Sequence, residues 1–202
     1  MRRRDRCATC AASKSKQKNV CKSNKQTSTK PGERLSLDIS SVKNESLGGS
    51  KYWLLVVDEL TDMSWSWFLK AKSATAKTVL ILLKELQEKN KITVQYICCD
   101  NTGENLTLHE ACKQQGFAHI QFEFTTPGTP QQNGKVEHKF ASLYSLVRSN
   151  LNHAKVTEKI RKLMWAEAAH GLTIVHNATI QQDREEPSPD KQEGALCVAQ
   201  DC

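Results

Sequence analysis

The sequence contains no run of about eighteen consecutive apolar residues, the length that a membrane-spanning helix requires. Its first six residues are basic but lead into no apolar stretch, so they do not resemble a secretory signal. No segment of the chain repeats another. These absences favour a soluble intracellular protein, and 202 residues are enough for one domain with a buried core and short appendages.

Eight cysteines are present, but without a secretory signal they are expected to stay reduced rather than to pair as disulfides. Cys98 and Cys99 are adjacent and lie within an apolar run. This position favours small apolar fillers of a buried strand over a redox pair.

Positive charge is concentrated at the beginning of the chain. Residues 1–30 hold ten of the 29 Lys and Arg residues and a single acidic residue, so this segment carries +9 and the rest of the chain carries −2. Residues 11–34 are rich in Lys, Ser, Asn, Gln and Thr, and such a composition cannot bury enough apolar surface to fold alone. The basic arm either contacts nucleic acid or is a solvated, disordered tail, and the sequence leaves both open.

From residue 34 onward the apolar pattern alternates between strand and helix periods. Three strands are predicted first, at residues 34–40, 52–57 and 63–69, as an antiparallel meander. Helices are then expected at 74–90, up to 115, from 130 onward and at 158–177, with strands at 92–99 and 119–124. This order predicts an α/β protein with a mixed five-stranded sheet flanked by helices, as in RNase H-like folds.

The helix expected from residue 130 onward is the best marked. Thr129 is suited to cap it and Pro130 to occupy its first position. Apolar residues recur along it at spacings of three and four, which indicates a buried stripe formed by Val136, Phe140, Leu143, Val147 and Leu151.

Three carboxylates stand at informative places in this pattern. Asp38 lies within the first strand and faces away from its apolar neighbours, Asp100 ends the fourth strand, and Glu137 lies in the long helix beside the buried stripe. Hard divalent ions such as Mg²⁺ prefer carboxylate oxygens, and ions held in this way drive phosphodiester cleavage and joining. Each residue alone has an ordinary structural explanation: an Asp can cap a strand end, and a helical Glu can face solvent. The surrounding motifs must therefore decide between these explanations and a catalytic role.

Those motifs are long and specific. Residues 47–58 read Leu-Gly-Gly-Ser-Lys-Tyr-Trp-Leu-Leu-Val-Val-Asp, and residues 99–105 read Cys-Asp-Asn-Thr-Gly-Glu-Asn. Residues 126–137 read Thr-Pro-Gly-Thr-Pro-Gln-Gln-Asn-Gly-Lys-Val-Glu, and residues 164–169 read Met-Trp-Ala-Glu-Ala-Ala. Together they resemble the catalytic core of copia-type retrotransposon integrases, within the DDE-type retroviral integrase family, over about residues 1 to 178.

The resemblance implies a DDE catalytic triad of Asp38, Asp100 and Glu137, which would also bind Mg²⁺ or Mn²⁺ for 3′-end processing and strand transfer. It implies DNA contacts near the start of the long helix, where free backbone N–H groups attract phosphate. The expected DNA-binding residues are Gln132, Asn133, Gly134, Lys135, Lys139 and Arg148. The expected partners are retroelement DNA ends, target DNA and further copies of the chain, with no membrane. The expected location is the nucleus or a cytoplasmic virus-like particle.

The same resemblance implies limits for the domains. Residues 1–30 would be a basic arm with a remnant of the family's His-His-Cys-Cys zinc module, in which Cys7 and Cys10 are the closing pair. The two preceding histidines are missing from this sequence, so zinc is not expected to be held, with Cys21 as the alternative third ligand. Residues 31–178 would be the core and 179–202 a divergent, disordered tail.

Some residues depart from the family pattern. Thr102 replaces the first of two glycines after the second aspartate, and Lys135 and His138 flank Glu137 where the family often has an arginine. Two alternatives therefore stay open. One is a truncated or domesticated, non-catalytic nucleic-acid-binding derivative, and the other is a metal-dependent nuclease of the RNase H type.

Overall fold

The structure is a computed structural model that describes residues 28–125 and 133–185, with side chains up to residue 180. Five strands form one sheet in the order β3-β2-β1-β4-β5. The strands are β1 (Arg34–Ser41), β2 (Tyr52–Asp58), β3 (Ser64–Leu69), β4 (Tyr96–Asp100) and β5 (Gln121–Thr125). β1, β2 and β3 pair antiparallel, whereas β4 is parallel to both β1 and β5. The predicted α/β class with a mixed five-stranded sheet is confirmed.

Five α-helices flank this sheet within the described ranges. They are α1 (Thr75–Glu88), α2 (Gly103–Gln114), α3 (Gly134–His153), α4 (Glu158–Leu163) and α5 (Trp165–Glu185), and a 3₁₀ turn at Lys72–Ala74 precedes α1. Buried side chains of α1 and α2 pack on one face of the sheet, and those of α3 and α5 pack on the other.

Side-chain alternation along β2 divides the apolar residues between the two faces. Leu54 and Val56 join the core beneath α1 and α2, whereas Leu55 and Val57 join the core beneath α3 and α5. The second core is built around Trp53, which is fully buried and has its ring centroid 5.3 Å from that of Phe140. Such edge-to-face contacts fix the position of α3 over the sheet.

Two predicted helix boundaries were wrong. α3 begins at Gly134 rather than at Pro130. The side chain of Asn133 binds the sheet, and its backbone, with φ −110° and ψ 16°, is not helical. Thr129 and Pro130 lie outside the described residues. The single helix expected at 158–177 is two helices that meet at Met164. The indole N–H of Trp165 donates to the carbonyl of Asn44, so a tertiary contact sets the start of α5.

Two further boundaries differ from the sequence-based limits. α5 continues to Glu185, beyond the helix end expected at residue 177. The strand expected at 92–99 begins only at Tyr96, because pairing with β1 and β5 starts there. Ile92 instead packs beside Gly32 in the preceding turn.

The cysteines of the described core are buried and form no disulfide there; they are Cys98, Cys99 and Cys112. Burial raises the pKa of Cys112 to about 11, so its thiolate does not form near neutral pH. Cys7, Cys10 and Cys21 lie outside the described residues. No helix in the described part of the chain is long and apolar enough to cross a membrane.

Candidate active site

Strand register places the two aspartates on the same face of the sheet. Asp38 pairs across β1 and β2 with Leu55, whose side chain lies in the core beneath α3. Asp100 follows Cys99, which points to the opposite core, so the alternation of β4 turns Asp100 toward the α3 side. Glu137 lies in the first turn of α3 and is exposed. Three carboxylates from two strands and one helix therefore share one face.

These carboxylates interact electrostatically. The pKa of Asp38 is raised above its ordinary value, first by burial and then by the negative charges of Asp100 and Glu137. The backbone N–H of Ile39 donates to Asp38 Oδ1 at 2.7 Å and, together with the charge of Lys72, acts in the opposite direction. The folded chain thus holds repelling carboxylates close enough to disfavour the charged form of one of them.

Asp100 is held through a single carboxylate oxygen. The Thr102 hydroxyl donates to Oδ1 at 3.1 Å, and the side-chain amide of Asn105 donates to Oδ1 and, at 3.1 Å, to the Asp100 backbone carbonyl. Asn105 is 1% exposed, and its own Oδ1 has no hydrogen-bond partner in the described structure. The carboxylate direction is therefore fixed by the turn that enters α2.

Two contacts attach α3 to β1 next to Asp38. The buried Asn133 side chain donates from Nδ2 to the carbonyl of Leu37 at 3.2 Å, and the Tyr144 hydroxyl donates to Ser40 Oγ at 2.9 Å. Leu37 directly precedes Asp38 in the chain. These contacts place the first turns of α3, and with them Glu137, beside the aspartates.

The predicted DNA-binding residues differ in how far they are exposed to solvent. Arg148 is exposed, and about three helical turns separate it from Glu137, so both lie on the same side of α3. Lys135 forms an ion pair of 2.6 Å with Asp62. Gly134 has open space around it, since an added Cβ would meet no atom within 4 Å.

Two other members of that set are not presented to solvent. Asn133 is 5% exposed and turned toward the sheet. Lys139 is 8% exposed, and its ammonium nitrogen lies 2.7 Å from Nε2 of His176, where burial lowers the pKa of the lysine. Gln132 lies outside the described residues.

The sequence prediction did not include several side chains that border the site. Lys72 acts on Asp38 through its charge and lies 3.8 Å from Glu104 across a groove of about 520 Å³. A lysine after a strand is too common a pattern to have singled it out. The roles of Asn105 and Tyr144 also had no sequence signal, because each depends on a partner in another element or across a turn.

The donor chemistry suits a hard divalent ion, because all three side chains offer carboxylate oxygens. However, among the side chains described, at residues 28–125 and 133–180, no three His, Cys, Asp or Glu are close enough together to hold one metal ion. Metal binding by the full set would therefore need at least one of the three carboxylates to move toward the others.

The chain is thus an α/β protein whose mixed five-stranded sheet carries three carboxylates on one face. No family model matches the chain. It is 30% identical over 130 residues to the retrovirus-related Pol polyprotein from transposon RE2 of Arabidopsis thaliana, covering 64% of this chain and 9% of that protein. It is 31% identical over 135 residues to the corresponding polyprotein from transposon TNT 1-94 of Nicotiana tabacum, covering 66% and 10%.

A viral protein and a solved structure are also similar. The Pro-Pol polyprotein of feline foamy virus is 29% identical over 119 residues, which cover 59% of this chain and 10% of that protein. An intasome structure of simian T-cell lymphotropic virus, in complex with PP2A regulatory subunit B56 gamma, aligns with a TM-score of 0.49 and 18% identity over 69% of this chain and 47% of that one.

The chain is homologous to a segment of retrovirus-related Pol polyproteins from plant transposons, and the resemblance to the copia type is confirmed. It spans about a tenth of the length of these curated relatives.

Proposed function

We propose that this chain is the catalytic core of a retroelement integrase that cuts and joins DNA by metal-dependent phosphoryl transfer. The observation that carries the proposal is the convergence of Asp38, Asp100 and Glu137 on one sheet face, where burial and then the charges of the other two raise the pKa of Asp38. Carboxylates that repel one another cost folding free energy, and a bound cation would remove that cost. The homologous Pol polyproteins support the same conclusion.

In this proposal Asp38 and Asp100 hold Mg²⁺ or Mn²⁺, and Glu137 completes the site. A bound divalent ion supplies charge neutralisation at the phosphorus and makes the attacking oxygen more acidic. The chain's own part is to fix the two aspartates, each through one oxygen, and to keep Glu137 on an exposed helical turn where it can change rotamer. Water would be the nucleophile in 3′-end processing, and the freed 3′-hydroxyl in strand transfer.

DNA would be bound mainly through its phosphates, so sequence specificity should be weak. Of the basic residues predicted to bind it, Arg148 is the best placed, because it is exposed on the Glu137 side of α3. Lys135 would have to leave Asp62 to contribute. The remaining expectations, assembly with further copies of the chain and action in the nucleus or a virus-like particle, are part of the same proposal.

The test uses a branched DNA that mimics the integration product, incubated with the purified chain and Mn²⁺ or Mg²⁺. Asp100→Asn and Glu137→Gln should abolish metal-dependent resolution of the branch. Glu110→Gln is the matched control, because Glu110 is exposed on α2 and pairs only with Lys113 among the described residues. It should leave the activity of the chain unchanged.

A second candidate is a DNA-binding derivative without catalysis, and it is favoured because no three carboxylates of the described side chains lie close enough together to hold one metal ion. DNA binding that is equal in the wild type and in Asp100→Asn, with no branch resolution in either, would establish it. Plain cleavage without joining would instead indicate a nuclease of the RNase H type.

A further inference from the structure

The turn between β4 and α2 contains two hydrogen-bond donors aimed at the same carboxylate oxygen. Thr102 and Asn105 both donate to Oδ1 of Asp100, and the described residues place no donor on Oδ2. Thr102 has φ −96° and ψ 160°, an extended conformation that does not require glycine. A threonine can therefore stand at this position without backbone strain and add its hydroxyl to the turn.

The stability of the fold alone does not explain why an asparagine stands at position 105. Both partners of its NH₂ group are acceptors, the carbonyl and carboxylate oxygens of Asp100, so the amide orientation is fixed. Its Oδ1 is then buried without a partner. An unsatisfied buried acceptor destabilises a protein, and an apolar side chain of similar volume would avoid that cost.

We propose that Thr102 and Asn105 are positioning residues, which fix the carboxylate of Asp100 through Oδ1 and leave Oδ2 as the oxygen available to a cation. This inference rests on the proposed function, because it gives Asp100 the role of a metal ligand. A carboxylate held in this way would bind through one oxygen, as the octahedral coordination of Mg²⁺ and Mn²⁺ commonly requires. Partners that orient a ligating side chain typically strengthen metal binding.

The experiment measures Mn²⁺ binding to the full chain by isothermal titration calorimetry without DNA. Asn105→Leu should weaken binding by about tenfold or more, the typical effect of losing such a partner. Thr102→Val should also weaken it, whereas Thr102→Ser, which keeps the hydroxyl, should match the wild type. Thr78→Val in α1 is the control, because the Thr78 hydroxyl donates to the carbonyl of Ala74 in the preceding 3₁₀ turn and not to Asp100.

Urea denaturation of the same variants without metal separates positioning from folding. Asn105→Leu should stay close to the wild type in stability, because removal of the unsatisfied oxygen offsets the loss of the two hydrogen bonds to Asp100. Unchanged Mn²⁺ affinity in both Asn105→Leu and Thr102→Val would overturn the inference and leave the proposed function intact. A loss of affinity matched by a loss of stability would reduce both residues to a structural role. A wild type without a saturable Mn²⁺ site sensitive to Asp100→Asn would overturn this inference together with the metal chemistry of the proposed function.

Discussion

Replacing Gly32 with alanine should destabilise the fold through two separable effects. Gly32 lies in the turn before β1 and has φ +72°, a conformation that residues with a Cβ rarely adopt. A Cβ added there would lie 2.4 Å from Cγ2 of Ile92, much closer than van der Waals contact allows. The Gly32→Ala variant must therefore strain its backbone and also displace Ile92.

The magnitude follows from these two effects. A left-handed backbone conformation costs a residue with a Cβ about 1–2 kcal/mol. Displacing a packed side chain costs about 1–3 kcal/mol more. Alanine also stiffens the unfolded chain, which offsets about 0.4–1 kcal/mol. The free energy of unfolding should fall by roughly 2–4 kcal/mol as the sum of these three contributions.

Urea denaturation in the presence of EDTA provides the measurement, with Gly171→Ala as the control. Gly171 lies in α5 with open space around it, so its replacement should stabilise the chain by about 0.5–1 kcal/mol. A double-mutant cycle with Ile92→Ala isolates the steric contribution, which should appear as a coupling of about 1–3 kcal/mol. A Gly32→Ala variant as stable as the wild type would contradict the expected backbone strain, and a cycle without coupling would contradict the expected clash with Ile92.

Three further predictions concern β1 and its neighbours. The raised pKa of Asp38 means that its carboxylate costs stability once pH rises from 3.8 through the folded-state pKa, so Asp38→Asn should stabilise the metal-free chain at pH 7. That gain should vanish below pH 3.8, as denaturation across pH would show. Arg34 is buried between Glu59 and Glu123, so Arg34→Met should lower the free energy of unfolding by about 2–4 kcal/mol in urea. Asn133→Ala should lower it by about 1 kcal/mol through loss of the bond to the Leu37 carbonyl, yet leave DNA affinity unchanged in a fluorescence-anisotropy titration. A drop in that affinity would return Asn133 to the DNA-binding residues.

The convergence of the carboxylates depends on elements that are far apart in the chain. The Asn133 amide reaches the Leu37 carbonyl across 96 positions, and the Tyr144 hydroxyl reaches Ser40 across 104. Both bonds join α3 to the strand that carries Asp38. The position of Glu137 is therefore decided by the attachment of α3 to β1, and the candidate site depends on that attachment.

Sequence periodicity was enough to predict the features that a single strand or a single helix encodes. Alternation along residues 34–40 set Asp38 on the face opposite Leu37, and the apolar stripe from Val136 to Val147 identified the buried side of α3. The motifs around the three carboxylates were also sufficient to indicate the copia-type resemblance. These features are local because backbone geometry returns side chains to the same face every two residues in a strand and every three to four residues in a helix.

Which polar side chains are available to a ligand depends on the packing of distant elements and could not be predicted from the sequence. Lys139 carries the positive charge expected of a phosphate-binding residue. However, packing of α3 against α5 places its ammonium beside His176 in a nearly buried position. The sequence also contained no sign of the break between α4 and α5 or of the hydrogen bond from Asn105 to Asp100. The reason is physical: the free energy of a polar side chain depends on which partner and how much water surround it, and both are set by elements distant in the sequence.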